Sequence, residues 1–201
     1  MEFLLIVLFL TLSLYFLYKS FSIGLDFSKL TKTLVITTSI ALISVLLHEL
    51  LGHALLAYLL GVPIVGKEII ISAIGQPLGA YVQIETTDPE KLALIALGGP
   101  IVNAVLAIIF LHFSREATGT NYLICNSGVM FNAFISLGNA VPAVSLIKQE
   151  LLGTDGAIAL VAALKSGNGL LFITVLAVMI SCIMISLATI YRISVKREVI
   201  I

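Results

Sequence analysis

Uninterrupted apolar runs constrain this chain more than any other feature. The segment from Leu34 to Leu60 carries only His48, Glu49 and His53 as charged or imidazole side chains, and Leu170 to Tyr191 carries none. Runs from Phe3 to Tyr18, Lys91 to Phe113 and Tyr122 to Val141 are nearly as apolar. About 20 apolar residues in helical form cross the roughly 30 Å hydrocarbon core of a bilayer. With 60% apolar and 11% charged residues and a mean hydropathy of +1.16, a water-soluble core cannot hide this much apolar surface. The expected fold is therefore an all-α membrane protein: one integral membrane domain over 1–201, a polytopic bundle of about five to six transmembrane helices. A net charge of zero argues against a nucleic-acid partner. Cys125 and Cys182 lie inside apolar runs and read as small buried hydrophobes.

Glu2, in place of a basic leader, marks the first run as a membrane helix rather than a signal peptide. The run from Leu34 spans roughly 40 Å as a helix, so it tilts or protrudes. Gly61, Pro63 and Gly66 end it. Lys67–Ile71 and Tyr81–Thr86 are β-branched or alternating, with Gly75, Gln76, Pro77 and Gly79 between them, and predict a small β-hairpin. Unpaired strand edges are not tolerated in lipid, which places this hairpin at the interface or in a hydrated recess. Asp88-Pro89-Glu90 opens a helix interrupted by Gly98-Gly99-Pro100. A polar loop is expected from Lys148 to Gly156, and a short or re-entrant helix from Ala157 to Leu164. The last span ends on Arg192, Lys196 and Arg197 as an interfacial anchor.

Ionisable groups at membrane depth are costly and mark function. Two of the three histidines fall in His48-Glu49-Leu50-Leu51-Gly52-His53. A zinc hydrolase of the His-Glu-x-x-His kind needs both imidazoles on one helical face. Here they stand five apart, which on a regular helix separates them by about 140° instead of about 40°. A π-bulge between His48 and His53 would restore convergence. A regular helix would instead pair Glu49 with His53 and make Glu49 a ligand; in the absence of metal, the three groups would satisfy one another. A third ligand is also needed. Asp155, in Gly153-Thr154-Asp155-Gly156, is the candidate, with an ordinary helix N-cap as its other reading. His112, before Phe113-Ser114-Arg115-Glu116, is the rival ligand and reads as interfacial.

These residues resemble the site-2 proteases, intramembrane zinc metalloproteases of peptidase family M50. His48 to His53 is similar to the family's zinc motif, Gly98-Gly99-Pro100-Ile101-Val102-Asn103 to its Gly-Pro-x-x-Asn helix, and Asn139-Ala140-Val141-Pro142 with Asp155-Gly156 to its Asn-x-x-Pro and Asp-Gly elements. The resemblance covers 34–165, flanked by helices at 1–20 and 168–192. It implies a multi-pass protein that cleaves transmembrane protein substrates in the lipid bilayer. His48, His53 and Asp155 would hold Zn2+, with Glu49 and Asn139 as catalytic residues. Glu49 would move the proton, Asn139 would bond the substrate backbone or oxyanion, and Asn103 would bridge helices. The 67–86 hairpin would offer an edge to an extended peptide. Two departures stand out: the extra residue between the histidines, and a long gap from Pro142 to Asp155 that an insertion of Val144 to Leu152 would explain. A catalytically inactive relative that binds membrane clients, or a small transporter, are the competing expectations.

Overall fold

The computed structural model describes residues 27–70, 79–142, 144–147 and 150–195. Helix α1 is one continuous rod built of an α-helical stretch Phe27–Leu47, a π-helical turn His48–Ala54 and a last α-helical turn Leu55–Leu59. It ends where Gly61 takes a left-handed φ of 66°, a conformation that costs glycine nothing. Strands β1 (Ile64–Ile70) and β2 (Gly79–Ile84) then pair antiparallel, Lys67 opposite Val82, with an irregularity between Ile64 and Gly66. Helix α2 (Pro89–Phe113) starts with proline at its first position, and Asp88 Oδ1 accepts from the amides of Glu90 (2.9 Å) and Lys91 (3.3 Å).

Helix α3 covers Gly119–Ala140. Where a polar loop is expected, the chain forms a second antiparallel hairpin, β3 (Val144–Ile147) and β4 (Glu150–Gly153), with Val144 opposite Gly153. The alternation of Val144, Ser145 and Leu146 carried a strand signal that Lys148 and Glu150 obscured. Helix α4 (Asp155–Ser166) has 12 residues, too short to cross a bilayer, and Gly167 (φ 69°) turns the chain into α5 (Gly169–Val195).

Among the described residues there are five helices, and the number able to cross a membrane falls below the five to six expected. Three of them are long and apolar enough to cross a membrane: Ser28–Leu59 within α1, all of α2, and Gly169–Ile193 within α5. Helix α3 has the length, 22 residues, but Asn121, Asn126, Asn132, Ser136 and Asn139 dilute its apolar character. The expected span Phe3–Tyr18, the hairpin tip around Gly75 to Pro77, and Lys196 and Arg197 of the anchor lie outside the described residues.

Packing follows the logic of a helix bundle in lipid. Large apolar side chains such as Leu34, Ile43, Ile173, Ile180 and Met184 point outward, while Thr33, Ser44, Asn103, Asn126, Asn132, Ser136 and Ser186 are buried. Between helices the contacts are made by small residues. Ala93, Ala96, Ala159, Ala162 and Ala163 let α2, α4 and α5 approach closely around Leu97, Val175 and Met179. Gly52 lies against α2 so tightly that a Cβ on it would sit 2.6 Å from Gly99 Cα.

Asn103 does not bridge helices as expected. It is wholly buried and its amide has no hydrogen-bond partner among the described residues. The interhelical bond falls to Asn132, whose Nδ2 donates to Ser44 Oγ on α1 (3.0 Å) and to Gly128 O (2.9 Å). Ser136 Oγ donates to Pro100 O on α2 (2.9 Å). Asn132→Ala removes the α1–α3 bond and leaves the Ser44 hydroxyl without its donor, an expected loss of about 1–2 kcal/mol. Thermal unfolding in detergent should show the lower midpoint.

Candidate metal centre

The π-helical turn determines how the two histidines meet. Its i→i+5 bonding absorbs the extra residue and brings His53 under His48, ring centroids 5.0 Å apart and planes at 80°. Such turns are rare, and they concentrate at functional sites because elsewhere a regular helix is more stable. Glu49 points elsewhere: its Oε2 accepts from the backbone amide of Val82 at 3.0 Å. The pairing of Glu49 with His53 that a regular helix would produce does not occur.

Asp155 is the first residue of α4, delivered to the histidines by the element before it. The helix cap is Thr154, not Asp155: Thr154 Oγ1 accepts from Ala157 N (3.3 Å) and donates to Val141 O at the end of α3 (2.7 Å). That clamp closes the base of the β3–β4 hairpin and frees the Asp155 carboxylate to turn inward. Gly156 lets α4 abut the end of α3, since a Cβ there would sit 2.9 Å from Ala140 C. Asp155 Oδ2 consequently lies 3.2 Å from His48 Nε2 and 3.6 Å from His53 Nε2. One donor atom from each of the three residues lies within 4.8 Å of the others.

This cluster has the character of a metal site. His53 Nδ1 lies 2.8 Å from the carbonyl oxygen of Ile95. A carbonyl only accepts, so Nδ1 donates to it, and Nε2 is the ring atom turned toward Asp155. Asp155 Oδ2, the oxygen it faces, is buried, and its nearest polar neighbours are the two imidazole Nε2 atoms. A buried carboxylate facing two imidazole nitrogens calls for positive charge among them, supplied by a proton on an imidazole or by a metal cation. A tetrahedral ion with bonds of about 2.0–2.1 Å holds its donor atoms about 3.4 Å apart; the two separations here, 3.2 and 3.6 Å, bracket that value. Gly99 supplies room: a Cβ at that position would press on the Nε2 atoms of both histidines. The residues present therefore fit a metal ion, and the Ile95 carbonyl is the outer partner that orients a ligating imidazole.

Gly99→Ala fills the same space with a methyl group. Its expected effect is a drop in metal affinity of about 10-fold or more, the scale of a displaced supporting contact. Gly138→Ala, which meets nothing within 4 Å, serves as the comparison and should bind as the wild type does. Competition against a chelator of known affinity measures both.

The other candidates fall elsewhere. Asn139 is half-buried in the last turn of α3; its backbone carbonyl borders Gly156, but its side chain makes no hydrogen bond among the described residues. His112 stacks edge-on against Phe113 in the last turn of α2, about 25 Å along that helix from Ile95, and is no ligand of this cluster. Sequence reasoning missed three supporting groups: the Ile95 carbonyl, the Val82 amide and the Thr154 cap. Only the last had a readable signal, a threonine directly before the acidic residue that opens a helix.

Among protein-family models, the one described as Peptidase family M50 matches residues 36–190. No curated protein and no solved structure matches the chain.

Proposed function

The chain belongs to peptidase family M50, the site-2 protease family, and from that premise we propose that it is an intramembrane zinc metalloprotease. It hydrolyses peptide bonds in or near transmembrane segments of membrane-protein substrates. The observation that carries this reading is the convergence of His48, His53 and Asp155 on the space left by Gly99, with Glu49 next to His48 in the chain. Two imidazoles and a carboxylate with one position left open form a catalytic zinc donor set. Bound there, zinc would supply Lewis acidity, polarising a peptide carbonyl and making water acidic enough to lose its proton near neutral pH.

The chain's own residues do the rest. Ile95 and Thr154 hold His53 and Asp155 in place, so little reorganisation accompanies reaction. Glu49 accepts the proton of the attacking water and returns it to the departing amine. Asn139, beside the base of α4, offers its amide to the substrate backbone or to the oxyanion. The outward apolar side chains of α1, α2 and α5 support a multi-pass place in the bilayer, where its substrates would also lie. A substrate helix has its carbonyls bonded internally, so it must unwind locally before cleavage, and the free edge of the β1–β2 hairpin suits the resulting extended segment.

Elemental analysis of the detergent-purified chain tests the metal. About one zinc per chain is expected. Folded protein that binds no zinc would overturn the protease reading and favour a relative that binds membrane clients without cutting them.

A further inference from the structure

The contact between the β1–β2 hairpin and Glu49 is the second long-range bond into this site, and metal binding does not need it. In the π turn, Glu49 is one residue on from His48 and so projects in a different direction from the His48–His53 pair. Its carboxylate on a flexible stem would sample several orientations unless something outside the helix fixed it. The donor comes from 33 residues along the chain: Val82 N–H, 3.0 Å from Oε2. Strand β2 has this donor free because its sheet has two strands only. β1 occupies one edge, and alternate amides along β2 point from the other. Among the described residues Oε1 takes no hydrogen bond, so one carboxylate oxygen is held and the other is left open.

From this the geometry points to the backbone amide of Val82 as a positioning group for the catalytic carboxylate: the β1–β2 hairpin sets the orientation of Glu49. The inference rests on the reading of Glu49 as the proton-handling residue. The bond runs from a neutral amide to a charged acceptor, the stronger kind of hydrogen bond, and it places a partly buried group. His48, His53 and Asp155 are held by other contacts, through Ile95 and Thr154. The hairpin can therefore alter turnover without altering metal content.

An amide-to-ester replacement at Val82 removes the N–H while leaving its side chain and the edge facing β1. The full-length chain carrying it is compared with wild type on casein, an unfolded probe that needs no unwinding. The expected result is a kcat lower by about tenfold or more, KM within about twofold, and unchanged zinc content. Hydrogen exchange supplies a readout independent of turnover: the Val82 amide should exchange about tenfold faster in Glu49→Ala than in wild type, with zinc retained. An ester variant with wild-type kcat, one that loses zinc together with activity, or an exchange rate that ignores Glu49 would overturn the inference and leave the protease reading standing. A zinc-loaded wild type that cleaves nothing would sink both.

Discussion

Asp155→Ala is expected to yield a folded protein that no longer retains zinc. The carboxylate is the only anionic donor in the cluster, and its Oδ2 is the atom both imidazole Nε2 atoms face. Losing a partner that merely supports a ligand costs about 10–100-fold in metal affinity, so loss of the ligand itself should exceed about 100-fold. Folding is insulated from the change. The cap of α4 is Thr154, and the helix is packed through Ala159, Ala162 and Ala163 against α2 and α5. Zinc content after purification, with circular dichroism as the folding control, reads the effect. A variant that keeps its zinc in full would remove Asp155 from the ligand set.

Glu49→Gln separates chemistry from binding. The amide keeps the size of the side chain and an oxygen that can still accept from Val82 N–H, but it cannot take up a proton near neutral pH. Zinc content should match wild type, while kcat falls by about 100- to 10,000-fold, the usual worth of a positioned general base. Single-turnover cleavage checks the rate, and elemental analysis checks the metal. A Gln variant that loses zinc would make Glu49 a ligand, the arrangement a regular helix would have favoured. One that cleaves normally would leave the proton to another group.

How far sequence reached can be seen at particular residues. The apolar runs located α1, α2 and α5, since lipid imposes both length and composition on a span. The stretch from Phe27 to Thr33 is already helical, ahead of the apolar run, although Lys29 and Lys32 give it a polar character. In fact Thr33 is buried and bonds its own helix at Lys29 O (2.8 Å). The first hairpin was legible from β-branched residues around a Gly/Pro cluster, and the second was not. At the site, the five-residue histidine spacing could be read as a π turn only by asking what a metal would need. Asn103 and Asn132 are equally polar in sequence; which one meets Ser44 is decided by helix rotation, which composition does not encode. Val82 N–H and Ile95 C=O are backbone groups that every residue carries, so no sequence pattern could single them out.

The central claim is that this chain cuts peptide bonds with a zinc ion held between α1 and α4. The measurement that bears on it most directly is cleavage of a single-span peptide by purified wild-type protein in lipid vesicles, followed by mass spectrometry. It is made first with zinc bound, then after removal by a chelator, then after zinc is restored. Cleavage within or beside the apolar segment that stops on removal and resumes on restoration is the predicted result. Cleavage that persists without zinc, or no cleavage of any tested span by the zinc-loaded protein, would contradict it.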